Sequence, residues 1–324
     1  MIQRVRGFRD ILPPDIDRWQ YVENTARNIL ENYGFREVRL PILERTELFL
    51  RSIGETTDIV EKEMYSFIDK DKSSVTLRPE ATAGVVRAFI QHGLYNQIWA
   101  KKLYTIGPMF RRERPQRGRY RQFWQINAEI IGYGDPLSDA EIISALDMIL
   151  KALKIKGYEI QLNSLGCKGC RPYFKEALMD YLSNKVEGLC PDCRRRQKLN
   201  PLRVFDCKVE GCRKIILDAP RIIDYLCPDC QRHFIEVQDY LREMGIEFKM
   251  NPYLVRGLDY YTRTTFEVIA PGIGAQNAIA GGGRYDELIK ELGGRSTPAI
   301  GFAIGTDRLL SLLPDIEENR RPLL

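Results

Sequence analysis

The spacing of hydrophobic residues changes near the N-terminus. From residue 15 to residue 33, apolar side chains recur every three or four positions, which predicts an amphipathic helix that ends before Gly34. Apolar and polar residues then alternate over 37–42, the pattern of a half-buried strand. Pro41 lies within that stretch, and because proline cannot donate to a strand ladder, we expect an edge or interface strand there.

Farther along the chain, the pattern predicts hairpins separated by helices. These hairpins favour an α+β fold with a mainly antiparallel sheet over a doubly wound parallel one. A glycine-rich segment precedes a final helix from about Thr306. The other predicted elements are a hairpin over 64–77, a helix at 81–90, strands at 98–110 and 121–131, a helix at 137–154, and strands at about 158–162 and 264–269.

The cysteines divide the chain into three parts. All eight fall between residues 167 and 230, so we interpret 166–249 as an inserted, mostly helical module between core segments 1–165 and 250–324. A Cys-Pro-Asp-Cys motif occurs twice, and repeated Cys-x-x-Cys pairs are typical of tetrathiolate zinc sites. Reduced cysteines also pack as small buried hydrophobes, so both interpretations stay open. The ligands of the zinc hypothesis are Cys190, Cys193, Cys227 and Cys230.

Composition narrows the class of protein. The charged N-terminus has no apolar core of a secretory signal, and no long apolar run exists to cross a membrane, so we expect a cytoplasmic protein. A net charge of +5 is compatible with a polyanionic partner. The two histidines lie outside the densest motifs, which argues against imidazole acid–base catalysis.

Residues 110–123 carry six arginines and one acid, Glu113. Guanidinium groups at this density need water or anions around them, so the loop is either a solvated surface or a phosphate-binding element. The chain has neither a GxGxxG nor a GxxxxGK[ST] loop. We therefore expect any nucleotide to be bound in another way than by these glycine-rich loops.

Several segments resemble motifs of one enzyme class. The 110–123 loop resembles motif 2 of class II aminoacyl-tRNA synthetases, YGFREVRLPILE resembles motif 1, and PAIGFAIGTDRLLSLL resembles motif 3. LVRGLDYYTRTTFEV and GGGRYDEL resemble the two signatures of histidyl-tRNA synthetases. The resemblance implies the class II fold, Mg²⁺-ATP-dependent activation of L-histidine to histidyl-adenylate, transfer to tRNA(His), and a homodimer formed through motif 1.

The resemblance also assigns roles to residues. Arg111 and Arg256 would hold the α-phosphate from opposite sides during catalysis, with Arg119 and Arg308 as further ATP ligands. Tyr285 and Asp286 are expected to brace the pocket. Trp124 and Thr306-Asp307 depart from the family pattern, which leaves the local packing open. The histidine-binding residues would be Glu80, Thr82, Gln125, Glu129, Tyr260 and Tyr261.

A second function remains open at this point. Histidyl-tRNA synthetases usually carry a C-terminal anticodon-binding domain, and the sequence ends shortly after motif 3. We therefore expect either a catalytic core or a paralogue, the non-aminoacylating regulatory subunit of ATP phosphoribosyltransferase, which binds histidine. The intact Arg256, Tyr260 and Tyr261 favour the catalytic core.

Overall fold

A computed structural model describes residues 2–54, 57–116, 118–273 and 277–314; Arg117 of the arginine-rich loop lies outside them. The helices are α1 (Asp15–Asn32), α2 (Thr46–Ile53), α3 (Thr82–Gln91), α4 (Pro136–Ala152), α5 (Arg171–Ser183), α6 (Pro191–Leu199), α7 (Glu210–Leu217), α8 (Pro228–Glu243), α9 (Leu288–Glu291) and α10 (Thr306–Leu310). The strands are β1 (Arg36–Glu37), β2 (Leu43–Arg45), β3 (Tyr65–Ile68), β4 (Ser74–Leu77), β5 (Lys102–Phe110), β6 (Gln122–Ile131), β7 (Glu159–Ser164), β8 (Lys249–Met250), β9 (Thr262–Ile269), β10 (Ala278–Arg284) and β11 (Ala299–Gly305).

One large sheet contains eight strands in the order β1-β5-β6-β11-β10-β9-β7-β8. Only the two outermost pairs, β1 with β5 and β7 with β8, are parallel among the described strands. The strands β2, β4 and β3 form a small second sheet that is antiparallel throughout. The predicted α+β fold with a mainly antiparallel sheet is therefore confirmed.

The continuous strand expected over 37–42 is wrong. Strand β1 ends at Glu37 and β2 begins at Leu43, so the chain crosses from the large sheet to the small one between them. Pro41 cannot donate to a ladder, and a neighbouring arginine binds the backbone instead. Arg78 donates its backbone N–H to the carbonyl of Ile42 (2.9 Å) and a guanidinium N–H to that of Leu40 (3.1 Å).

Helices α1 and α4 cover the sheet around the main core. The apolar stripe of α1 buries Trp19, Val22, Ala26 and Leu30, as its spacing predicts, and Gly34 follows with a positive φ of 83°. Helix α8, from the cysteine-rich part, packs in this same core, whereas α5 to α7 belong to a second apolar cluster. No helix in the described ranges is long and apolar enough to cross a membrane.

The glycine-rich segment forms β10, a strand in the middle of the large sheet. A β-carbon at Gly282 would lie 2.1 Å from the carbonyl oxygen of Gly301 on β11. Glycine normally weakens a strand, so the pattern of side chains did not predict this element. The close approach of neighbouring backbones explains why glycine is required.

Candidate active site

The β5–β6 hairpin carries four predicted site residues, of which Arg119 lies in the loop between the strands. Arg111 follows the last residue of β5, while Gln125 and Glu129 lie four residues apart on β6 and therefore share one face. Arg111 donates its Nε–H to the carbonyl oxygen of Pro79 (2.9 Å), and its guanidinium lies 5.3 Å from the ring centre of Phe123. These contacts hold the side chain of Arg111 in place at the end of β5.

Four predicted arginines line one open cleft. They come from β5, the hairpin loop, the segment before β9 and α10, so no local pattern brings them together. Glu113 and Asp307 are the carboxylates in the described lining, and Glu113 Oε2 lies 3.0 Å from the Nε of Arg119. Positive charge is therefore in excess, which favours an anionic ligand. The four are Arg111, Arg119, Arg256 and Arg308.

Arg308 is held by backbone oxygens. It donates to the carbonyl of Ala278 (2.7 Å) and to that of Gly118 (3.2 Å). Burial lowers the pKa of its guanidinium, and the nearby positive charges of Arg119 and Arg111 lower it further. Because this environment disfavours the cation, a bound anion would relieve the repulsion.

Arg256 lies across the glycine strand. A β-carbon at Gly281 would come within 2.4 Å of its guanidinium, so this glycine makes room for the arginine. Glu267 on β9 accepts a hydrogen bond from Nη1 of Arg256. The buried Nε of Arg256 has no hydrogen-bond partner in the described part of the chain. An unsatisfied buried donor at a cleft is suited to a ligand oxygen.

Next to the cleft is a group of buried polar side chains, which we call the buried pocket. Glu80 accepts hydrogen bonds from the backbone N–H groups of Thr82 (2.7 Å) and Ala83 (2.9 Å) and so caps the start of α3. Thr82 donates its hydroxyl to Glu129 (2.7 Å), and Tyr285 donates its hydroxyl to the other oxygen of Glu129. The pocket thus contains two carboxylates with few charges around them.

Burial dominates the electrostatics of this pocket. It raises the pKa of Glu129 to about 8, against the lowering effect of the Tyr285 and Thr82 hydroxyls, and Glu80 raises it further. Burial likewise raises the pKa of Glu80, although backbone N–H groups favour its ionised form. A ligand that donates hydrogen bonds to Glu129 would stabilise the carboxylate.

A glycine also shapes this pocket. A β-carbon at Gly301 would lie 1.6 Å from Oε2 of Glu129. The ring of Tyr260 lies 4.7 Å from that of Tyr261 and 5.6 Å from that of Tyr285, so the three rings form one wall. The predicted tyrosines and carboxylates are therefore close together in space.

The partner of Arg256, Glu267, was not among the predicted site residues. Glu267 is a single acid within the otherwise uncharged TTFEVI run of β9, which is the one signal that could have revealed it.

Tyr285 braces the pocket as expected, whereas Asp286 pairs with Arg284 (3.1 Å). The two departures from the family pattern meet, since the backbone N–H of Trp124 donates to the carboxylate of Asp307 (2.9 Å).

The eight cysteines form two separate groups, so the single ligand set predicted for zinc is wrong. The two Cys-Pro-Asp-Cys motifs begin different helices, α6 and α8, and each packs against another cysteine pair that is nearer in space. We call the first group the base cluster and the second the distal cluster. The base cluster is Cys167, Cys170, Cys227 and Cys230, and the distal cluster is Cys190, Cys193, Cys207 and Cys212.

Known proteins match almost the whole chain. A family model described as histidyl-tRNA synthetase matches residues 7–309. The histidine–tRNA ligase of Desulforapulum autotrophicum is 56% identical over 98% of this chain and 75% of its own length. That of Desulfatibacillum aliphaticivorans is 58% identical over 97% of this chain and 75% of its own length.

Solved structures agree on the fold. Apo histidyl-tRNA synthetase from S. aureus superposes with a TM-score of 0.78 at 38% identity, covering 97% of this chain and 74% of that one. A structure titled ATP phosphoribosyltransferase regulatory subunit/histidyl-tRNA synthetase, from Bacillus halodurans C, has a TM-score of 0.72 at 20% identity, which shows a common fold alone; it covers 98% of this chain and 84% of that one. With a matching family model and relatives above half identity, this chain belongs to the histidyl-tRNA synthetase family of class II aminoacyl-tRNA synthetases.

Proposed function

We propose that the arginine cleft and the buried pocket together carry out the reaction of this family, the ATP-dependent joining of histidine to tRNA(His). The observation that carries the proposal is the convergence of four arginines from distant segments beside a buried carboxylate pocket. One site can then hold a polyphosphate and a small polar amino acid side by side. The same intact site disfavours the purely regulatory alternative.

The cleft is the ATP site in this proposal. Arg111 and Arg256 take the α-phosphate from two sides, while Arg119 and Arg308 take the remaining phosphates, together with Mg²⁺. The positive charge that Arg111 and Arg256 fix in place stabilises the charge that grows as the histidine carboxylate attacks phosphorus. The chain need not supply a nucleophile, because positioning and electrostatics drive the step.

The pocket is the histidine site. Glu129 accepts the imidazole N–H, and Tyr261 and Tyr260 bound the ring, since the two tyrosine rings lie 4.7 Å apart near that carboxylate. Glu80, Thr82 and Gln125 provide oxygens for the ammonium group and the neighbouring polar atoms. An apolar isostere could not donate a hydrogen bond to this buried acceptor, so the pocket favours histidine.

A homodimer through motif 1 is part of the proposal. Large apolar side chains in and beside that motif are exposed on the small sheet, an arrangement typical of a surface that a second copy covers. Sedimentation of the purified protein at micromolar concentration should give twice the chain mass, and a monomer would contradict the dimer. These side chains are Ile42, Leu43, Phe67 and Ile68.

Structural Zn²⁺ is the metal we propose for the cysteine clusters. In both clusters the four sulfurs lie within 4.8 Å of one another. Sulfurs about 2.3 Å from a central zinc ion would be about 3.8 Å apart, which agrees with the observed spacing.

Histidine-dependent exchange of pyrophosphate into ATP tests the activity without tRNA. Wild-type protein should exchange, and Arg256→Ala should reduce kcat by about 10²–10³-fold, the loss expected for one transition-state donor. Arg112→Ala is the matched control, because Arg112 is exposed, stacks on Tyr65 (5.5 Å) and does not line the cleft. Histidine binding without exchange by wild type would overturn the proposal.

A further inference from the structure

The distal cluster differs from the base cluster in what it holds in place. We propose that Zn²⁺ in the distal cluster positions the active-site residue Arg256 through Arg203, so that the cysteine-rich module is part of the activation machinery. This inference rests on the proposed function of Arg256. In this proposal Arg203 is a positioning residue, and the distal cluster is the metal site that holds it in place.

The distal cluster has the chemistry of a closed zinc site. The sulfurs of Cys190 and Cys207 are 3.8 Å apart, far longer than the roughly 2.05 Å of a disulfide and close to the edge of a zinc tetrathiolate. Cys193 and Cys212 are fully buried. Three buried cysteines and the half-buried Cys190 match a structural zinc site, since thiolate ligands select soft metals.

Backbone N–H groups point at these sulfurs. The N–H of Cys190 donates to the sulfur of Cys212 (3.2 Å), and that of Cys193 donates to the sulfur of Cys190 (3.4 Å). The base cluster repeats this pattern, because the N–H of Cys227 donates to the sulfur of Cys170 (3.1 Å). Such donors stabilise thiolates that bind a metal.

A metal ion in the distal cluster would hold both ends of the short segment between Cys193 and Cys207. The chain leaves the distal cluster at Cys193, runs along α6 and a 3₁₀ helix from Pro201 to Asp206, and returns to the cluster at Cys207. A metal bound by Cys193 and Cys207 therefore fixes the position of residues 200–206. The binding energy of a structural metal goes into ordering such a segment.

Residues 200–206 contact the backbone that bears Arg256. Arg203 donates its Nη1–H to the carbonyl oxygen of Arg256 (3.0 Å), and Asn200 donates its side-chain N–H to Asp259 (3.0 Å). Arg203 is only 7% exposed and also pairs with Asp206 (2.8 Å). Glu267 holds the guanidinium of Arg256 while Arg203 holds its carbonyl, so both ends of the residue are fixed.

The base cluster provides the contrast. It lies where the module leaves the sheet, and there Gly166 accepts a hydrogen bond from the N–H of Arg263 (2.8 Å). Its zinc would secure the start of α8 against the end of β7 rather than the Arg256 segment. Loss of the distal metal should therefore impair the activation of histidine by disturbing the contact between Arg203 and the carbonyl oxygen of Arg256.

The test uses the full chain, purified without chelators. Elemental analysis should find two zinc ions per chain in wild type and one in Cys207→Ser. Arg203→Ala should keep both ions yet lower kcat for pyrophosphate exchange about tenfold with little change in the KM for ATP, because misplacement of a transition-state group affects kcat. Arg203→Lys should recover part of the loss. Arg221→Ala is the control within the module, because this exposed side chain pairs with Asp224 alone among the described residues.

Hydrogen exchange gives a readout that does not depend on activity. Backbone amides at 254–259 should exchange faster in Cys207→Ser and in Arg203→Ala than in wild type. The inference would be overturned if the wild-type protein contained no zinc. It would also be overturned if Arg203→Ala had the kinetics of wild type and its amides at 254–259 exchanged as slowly as those of wild type. Absence of exchange of pyrophosphate by wild type would instead overturn the proposed function. If Cys207→Ser does not fold, the Arg203 variants decide the question.

Discussion

The arginine cleft and the buried pocket lie side by side, yet they are built in opposite ways. The cleft is open and carries more positive charge than its acids neutralise, with the Nε of Arg256 unpaired among the described groups. The pocket is buried, and its carboxylates, Glu80 and Glu129, already accept hydrogen bonds from neighbouring groups of the chain. One half is incomplete without an anion, whereas the other is nearly complete without a ligand.

This difference suggests how binding energy is divided. Phosphate recognition depends on fixed charge, which gains strength when water leaves the cleft. Histidine recognition depends on burial, because an unsatisfied carboxylate costs more than a satisfied one gains. Substitutions in the two halves should therefore change different kinetic quantities.

The largest effect is expected in the cleft. Arg111→Ala removes a guanidinium at the site of the attacked phosphate, so kcat for pyrophosphate exchange should fall about 10³-fold with a small change in the KM for histidine. Arg111→Lys should recover little, because a point charge does not reproduce the planar fork. An equal loss in histidine affinity would show that the two halves are not separate.

A smaller effect, with a distinctive pH dependence, is expected from Glu129→Gln. The folded protein holds the pKa of Glu129 at about 8, and in the unfolded chain it lies near 4.3. Between these values the unfolded state loses the proton first, so the free energy of unfolding falls as pH rises.

The Gln variant lacks this slope, so its free energy of unfolding, measured by urea denaturation, should rise relative to that of wild type between pH 5 and pH 8.5, by on the order of 2–5 kcal/mol. In exchange assays the KM for histidine should rise about tenfold or more. Parallel stability curves for the two proteins would contradict the assigned burial of this carboxyl.

The smallest effect is expected from Tyr285→Phe. Without the Tyr285 hydroxyl, Glu129 loses one hydrogen bond, so its pKa should rise further and the affinity for histidine should fall about five- to tenfold. Tyr158→Phe is the matched control, because its hydroxyl donates to Asp147 outside the site. Calorimetric titration with histidine should separate the two, and equal losses would argue against a role for Tyr285.

Much of the fold was predictable from local patterns. The stripe of α1, the β3–β4 and β5–β6 hairpins and the helix at α4 follow periodicities of 3.6 or 2 residues. The motif resemblance placed Arg111, Arg256 and Arg308 in one site although they lie far apart in the sequence. Local periodicity could not have brought them together, because that depends on the order of strands in the sheet.

The amino-acid sequence by itself determined the helices, the hairpins, the family and the cysteine-rich part of the chain. Tertiary structure alone decided which cysteines meet, because each Cys-Pro-Asp-Cys motif begins its own helix and packs against a different cysteine pair. It also decided that a run of glycines forms the central strand β10. The grouping of the cysteines and the glycine strand both depend on segments that are distant in the sequence approaching closely in space. The pattern of neighbouring residues cannot predict such an approach.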